Sequence, residues 1–277
     1  MLVFTPAKIN LGLNVIEKRT DGFHNLETVF YPIDWKDVLE VVPAEHGEIR
    51  LHEYGIKVDV EFEKHLCVKA YRLLAKDFDL PGVEVYLHKN LPMGAGLGGG
   101  SSNAAGMLKA LNELAGLGLN QEQLITYASR IGSDCALFMH DGPTRGEGRG
   151  EVLTPYFSAE LERLHREGYR LLLIKPPFGV STAEAYAGIH PHPSEMSPWE
   201  VLQLPIKEWK GKLINDFEPS VFKKCPKIKD LKEDMYNFGA EFASMSGSGS
   251  SVFGFFPPDW KLPDNLNYPE DYVIKIL

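Results

Sequence analysis

Cysteine is scarce in this sequence: Cys67, Cys135 and Cys225 lie far apart, and none belongs to a Cys-x-x-Cys pair. An odd, dispersed set of thiols offers neither a disulfide framework nor a zinc-ligand spacing, so the three read as buried small hydrophobes. No apolar run approaches the roughly 20 residues needed to span a bilayer, and the N-terminus lacks a signal-peptide apolar region with a cleavage site. The expected location is the cytoplasm. Positive charge is in deficit, with a formal net charge of −9, which argues against nucleic acid or an anionic membrane as partner. The pairs His190/His192 and His46/His52 have no further ligand partners nearby in sequence and read as surface residues. Tandem repeats and disordered tracts are absent. The 277 residues, 44% hydrophobic and 24% charged, suffice for a large core and for two domains. The expected partner is a small-molecule substrate, taken up by a monomer or homodimer.

Glycine is concentrated where it matters. Five glycines fall within residues 94 to 100 of the stretch Pro92, Met93, Gly94, Ala95, Gly96, Leu97, Gly98, Gly99, Gly100, Ser101 and Ser102. Without Cβ atoms, such a loop can adopt positive φ and turn its backbone N–H groups toward a ligand. Val83 to His88 before it alternates like a strand. Ala104, Ala105, Leu108, Leu111, Leu114 and Ala115 after it recur at helical spacing. Ser101, Ser102 and Asn103 are positioned to cap that helix, whose positive end would then face an anion. A strand, glycine loop and helix in this order point to phosphate binding over a plain surface turn.

Gly94-x-Gly96-x-x-Gly99 also satisfies the dinucleotide pattern, but that reading needs a strand after the helix ending in an acidic residue. Gln121 to Ile131 reads instead as a second helix. No Lys-Ser/Thr pair closes the run as in a P-loop, and no Val-Ala-Ile-Lys strand follows as in protein kinases. A nicotinamide-dependent oxidoreductase and a non-catalytic nucleotide-binding protein stay open as alternatives.

Along the chain, residues 2 to 16 read as a strand with Ile9, Leu11, Leu13 and Val15 on one face and Lys8, Asn10, Gly12 and Asn14 on the other. Strand-like segments follow over Phe23 to Ile33, Val38 to Val42 and Lys57 to Phe62, then a helix over 66 to 78. The Gly-, Arg- and Glu-rich segment 141 to 155 closes a first domain at Pro155. Leu171 to Ile174 is a buried strand, and 179 to 186 a loop entering a capped helix. Residues 190 to 210 read as loop and short helix, and Lys227 to Phe238 as helix. Ala243 to Ser251 reads as a second glycine-serine loop before the strand Val252 to Phe256.

Pro6-Ala-Lys-Ile-Asn10, Leu91 to Ser102 and Met245-Ser-Gly-Ser-Gly-Ser250 together resemble the GHMP kinases, relatives of galactokinase, homoserine kinase and mevalonate kinase. Arg19 to His24, Gly132 to Phe138 and Asn215 to Pro219 narrow the resemblance to members acting on a diphosphocytidyl sugar alcohol, with homoserine kinase as runner-up. The resemblance implies an α+β, two-domain GHMP kinase fold: a ribosomal-S5-like α/β domain over 1–155, binding ATP and carrying the catalytic groups, and an α+β sandwich domain over 156–277. It implies transfer of a phosphoryl group from ATP to the 2-hydroxyl of 4-diphosphocytidyl-methylerythritol. Lys8 and Asp134 would be catalytic, the loop from Pro92 to Ser102 would hold the nucleotide, and Asn10, Phe23, His24 and Tyr186 would hold the substrate. Mg²⁺ is expected with the ATP, since no cluster of lysines or arginines is evident to neutralise a triphosphate. Read alone, Asp134 could be a helix N-cap and Lys8 could sit on a solvated strand face. The chain departs from the usual pattern at Phe23 in place of tyrosine, at Cys135-Ala136 in place of Val-Pro, and at His65 in place of asparagine.

Overall fold

The computed structural model describes residues 1–45, 47–263, 266 and 268–277; His46, read above as a surface residue, lies outside them. In chain order the regular elements are β1 (Leu2–Lys18), β2 (His24–Ala44), β3 (Ile49–Gly55), α1 (Leu66–Leu74), β4 (Gly82–Lys89), α2 (Gly99–Leu114), α3 (Gln121–Ile131) and α4 (Ser133–Leu137). There follow β5 (Thr144–Glu147), β6 (Val152–Pro155), α5 (Ala159–Glu167), β7 (Arg170–Lys175), α6 (Thr182–Tyr186), α7 (Pro198–Val201), α8 (Glu218–Lys224), α9 (Pro226–Asn237), β8 (Phe242–Met245), β9 (Val252–Phe256) and β10 (Val273–Ile276). Among the described residues no helix is long and apolar enough to cross a membrane. The chain forms two compact units: Met1–Lys8, Pro32–Met93 and Gly98–Asp141 in the first, Ile9–Tyr31, Gly94–Leu97 and Gly142–Leu277 in the second. The long strands β1 and β2 and the glycine loop each give residues to both.

In the first unit β4 runs antiparallel to β2, from Val38↔His88 to Ala44↔Gly82, and parallel to β3, from Ile49↔Val83 to Gly55↔Lys89. Strand periodicity sends Val83, Val85 and Leu87 of β4, and Ile33, Trp35, Leu39 and Val41 of β2, to the buried face. α1, with Val68, Ala70 and Leu74 buried, packs against α2, whose Ala104, Ala105, Leu108 and Leu111 are buried as well. Each fully buried valine or leucine side chain among them contributes about 1.5–3 kcal/mol relative to exposure. The helix termini are chemically marked: Asn120 caps α3 in a reciprocal capping box with Gln123, and the His65 ring caps α1 by accepting from Cys67 N at 3.3 Å.

The second unit centres on an antiparallel sheet in the order β10-β7-β9-β8. Leu172, Ile174, Val252 and Phe256 from the strands meet Val221, Ile228, Leu231 and Met235 from α8 and α9 in one core. β5 and β6 form a hairpin, Thr144↔Pro155 to Glu147↔Val152, with β5 also paired to Thr28–Phe30 of β2.

Several expectations are corrected. β2 is one continuous strand, because the alternation runs on through the gap: Asp34 and Lys36 point outward while Trp35 and Asp37 point inward. The strand expected over 57–62 lies instead at 49–55. It ends where Ile56 N donates to Lys89 O and where a Cβ on Gly55 would meet that oxygen at 2.3 Å. α1 stops at Leu74 and gives way to turns at Asp77 and Phe78, short of the expected residue 78. The first part of the expected glycine-serine loop, up to Met245, is strand β8, fully buried. Finally, Ser101, Ser102 and Asn103 do not cap α2: the N-cap is Gly98, at φ +71°, and the three lie inside the first turns.

Candidate functional site

In the first unit, Lys8 enters from β1 and is 4% exposed, so the solvated-face reading is excluded. Its Cε lies 3.4 Å from where a Cβ on Gly98 would stand, with the Phe138 ring at 2.9 Å on the same side. Burial pushes the Lys8 ammonium below the ordinary lysine value, while the charge of Asp134 opposes that shift. Asp134 lies in the first turn of α4, whose N-cap is Gly132, so the aspartate is not the cap. Ser101, in the first turn of α2, lies close enough to the Cys135 thiol, next to Asp134, to oppose the upward push of burial on it. The Ser102 hydroxyl is buried and has no hydrogen-bond partner among the described residues. A lysine, a carboxylate and the N-terminal turn of α2 thus converge on the second half of the glycine loop. Such a helix end presents free N–H groups and a positive dipole, the makings of a phosphate site.

The same unit holds a polar cluster that sequence reasoning missed. Lys89 and Asp37, 1% and 0% exposed, form a direct ion pair. The Asp37 Oδ1 accepts from Asn90 N at 2.7 Å and Leu91 N at 2.8 Å, and Oδ2 from Asn103 Nδ2 at 2.9 Å. Asn103 also accepts from Lys89 Nζ at 3.1 Å and donates to Thr5 Oγ1 at 2.8 Å. Removing one member of a buried pair typically costs about 3–5 kcal/mol, because the other charge is left uncompensated. The signal was available: Val83, Val85 and Leu87 alternate inward, and one more step brings Lys89 to the same face.

In the second unit the first half of the glycine loop meets the Met245–Ser250 motif. The Ser246 hydroxyl donates to Gly96 O at 3.0 Å, and a Cβ on Gly96 would meet Ser246 O at 2.3 Å, so only glycine fits. Asn215 Nδ2 donates to Met245 O and Gly247 O at 2.8 and 2.9 Å, while Glu218 Oε1 accepts from Met245 N at 2.9 Å. The Asn215–Pro219 motif therefore shapes the serine loop through hydrogen bonds. Thr182 Oγ1 lies 3.3 Å from Ser248 Oγ, and the Ser250 hydroxyl donates to Phe178 O at 2.6 Å, tying in the start of α6.

The residues expected to hold substrate also lie in the second unit, though not as one contact set. Asn10 is buried and donates to Thr28 Oγ1 at 3.0 Å. His24 stacks on Tyr186, centroids 4.9 Å apart at 22°, and Tyr186 meets Phe217 edge-on at 4.8 Å. Burial, then Lys18, holds the His24 imidazole below the ordinary histidine value. Phe23 is 53% exposed and lies under the Arg149 guanidinium at 4.9 Å. His24 and Phe217 are thus ring partners of Tyr186, while Phe23 faces Arg149. Cys67 and Cys135 are buried, and burial pushes their thiols up to about 12 and about 11, fitting inert packing groups. Cys225 is only partly buried. His52, His190 and His192 lie at the surface or partly so, with His52 2.5 Å from Glu84.

The GHMP kinases N terminal domain family matches residues 65–142, and the GHMP kinases C terminal family matches residues 206–261. Fold and matched families define a small-molecule kinase of the GHMP class. A 4-diphosphocytidyl-2-C-methyl-D-erythritol kinase from Bacteroides thetaiotaomicron is 50% identical over 266 residues, covering 95% of each chain. One from Parabacteroides distasonis is 45% identical over 256 residues, covering 92% of each. A crystal structure of 4-(cytidine 5'-diphospho)-2C-methyl-D-erythritol kinase matches with a TM-score of 0.76 at 30% identity, covering 92% of this chain and 89% of that one. Homoserine kinase from Cytophaga hutchinsonii matches with a TM-score of 0.69 at 18% identity, covering 94% and 85%, a likeness of fold alone. The chain belongs to the 4-diphosphocytidyl-2-C-methyl-D-erythritol kinase family of GHMP kinases.

Proposed function

We propose that this chain transfers the γ-phosphoryl group of ATP to the 2-hydroxyl of 4-diphosphocytidyl-2-C-methyl-D-erythritol, a step of non-mevalonate isoprenoid precursor synthesis. The observation that carries the reading is the approach of buried Lys8 to Gly98, at the N-terminus of α2, with Asp134 close enough to perturb its ammonium. Relatives that bear the name of that kinase, covering nearly the whole chain, support the substrate.

In this mechanism the loop from Pro92 to Ser102 and the free N–H groups of α2 hold the phosphates of ATP. Asp134 accepts the hydroxyl proton as the new O–P bond forms and the bond to the ADP oxygen breaks. Lys8 keeps the carboxylate ionised and offsets charge developing on the transferred group. Asn10, Phe23, His24 and Tyr186 hold the cytidyl portion. Among the described residues no group of three or more His, Cys, Asp or Glu could hold a metal by itself. Mg²⁺ would arrive on the nucleotide, where the orphaned Ser102 hydroxyl would offer a hard oxygen donor suited to it. When bound, the ion would neutralise triphosphate charge.

The two matched family segments fall on either side of residue 155, which supports the division into domains 1–155 and 156–277. A cytoplasmic enzyme, monomeric or homodimeric and without nucleic-acid or membrane partners, completes the proposal. The test is a product assay with ATP against diphosphocytidyl-methylerythritol, homoserine and mevalonate. Phosphorylation of the first alone is expected; turnover of homoserine instead would overturn the assignment.

A further inference from the structure

We infer that the buried Lys89–Asp37–Asn103 cluster is a clamp that sets the entry and exit of the glycine loop, making Asp37 and Lys89 positioning residues for ATP. This rests on the reading of that loop as the phosphate site. The loop is entered through Asn90 and Leu91, whose N–H groups both donate to Asp37 Oδ1. It is left through the first turns of α2, where Asn103 donates to Asp37 Oδ2 and accepts from Lys89 Nζ. One carboxylate therefore holds both ends.

Sequence and register bring the pair together. Val38 pairs with His88, so the next antiparallel step sets Asp37 opposite Lys89, both on faces otherwise filled by Trp35, Leu39, Val85 and Leu87. Burying two charges there carries a desolvation cost that apolar residues of similar volume would avoid, which points to a role beyond packing. A Cβ on Gly99 would lie 3.2 Å from Lys89 Nζ, so the ammonium stands beside the first residue of α2. A lone cation at that positive helix end would be repelled. Asp37 neutralises it locally and leaves the helix end free for an anion. Neither residue is placed to touch a reacting group; both act through the loop.

The test compares KM values for ATP and for the cytidyl substrate in Lys89→Met/Asp37→Leu, a paired variant that leaves no buried charge behind. The expected result is a folded protein by circular dichroism with KM for ATP raised about tenfold, since small misplacements of binding groups have large kinetic effects, and KM for the cytidyl substrate within twofold. Faster amide exchange at Asn90 and Leu91 should accompany it. An ATP KM within twofold of the native value, or equal rises for both substrates, would overturn the clamp. If the paired variant does not fold, Asn103→Ser is read by the same split, since it keeps the ion pair and both backbone tethers at the entry. Gly98→Val separates this inference from its premise: if that variant leaves ATP binding unchanged the loop reading fails, whereas a defect there with none in the paired variant sinks the clamp alone.

Discussion

Lys8 Cε lies 3.4 Å from the position that a Cβ on Gly98 would take. The lysine reaches this point from β1, some ninety residues earlier in the chain, and Phe138 closes the same space. No side chain other than hydrogen fits without displacing one of them.

Gly98→Val should therefore raise KM for ATP strongly. The branched carbon would meet the Phe138 ring at 2.9 Å, and φ +71° is disfavoured for valine. Calorimetric titration with ATP is the measurement, on protein verified as folded by circular dichroism. Native affinity in that variant would remove the loop from the binding of phosphate.

Asp134→Asn should lower turnover by about 10²–10⁴-fold while both substrates still bind, as expected for loss of a general base. Lys8→Ala should weaken the same step, so the double variant should be far less than multiplicatively worse. Single-turnover kinetics distinguish chemistry from binding. Turnover above half the native rate in Asp134→Asn would rule out the base.

The alkaline limb of kcat should fall below the pH at which an ordinary lysine titrates. Burial disfavours the charged form of Lys8, so the proton is lost earlier as pH rises. A pH–rate profile of Lys8→Arg, whose guanidinium stays charged, should lack that limb if the variant turns over at all. A limb unmoved in Lys8→Arg would assign it to another group.

Tyr186→Ala should weaken binding of the cytidyl substrate by about 1–3 kcal/mol, the usual size of a base–aromatic stack, with ATP little affected. Tyr186→Phe should be mild. The His24 contact at 4.9 Å suggests that a base would have to share or replace this stack. Equal KM values with a sharply lowered Tm would instead assign the ring to the core beside Phe217.

Acid should destabilise the native protein through His65, whose imidazole burial, helped by Lys89, pushes down to about 4 from 6.5. Between those values the unfolded chain takes up the proton more readily than the folded one. This contribution is thus complete above about pH 6.5 and is lost as pH falls toward about 4. Denaturant titrations at several pH values should show a shallower loss in His65→Asn. An unchanged slope would mean that the imidazole is not held neutral.

The elements that touch the chemistry were legible in sequence because their signals are local. The glycine run, the alternation before it and the helical stripe after it are all contained between Val83 and Ala115. β3 escaped because its apolar alternation is weak: apart from Ile49 its residues are partly or fully exposed. The break expected in β2 came from Asp37, a charge on the inward row that interrupts the apolar pattern while the strand itself continues. Asp37 and Lys89 escaped for a related reason. A buried ion pair joins residues 52 positions apart, and nothing in either neighbourhood marks one as the partner of the other. His24 against Tyr186 is likewise a tertiary contact between residues far apart in the sequence.

The hydrogen bond from Ser246 to Gly96 O spans 150 positions, and the bond from Asn90 N to Asp37 spans 53. The loop's curvature is thus imposed by remote parts of the chain. A peptide comprising residues 89 to 105 would carry every recognisable letter of the motif and little of its shape. Transplanting that segment into a foreign scaffold should not transplant nucleotide binding, unless the host also supplies an inward carboxylate beneath the incoming strand and a serine against the second glycine.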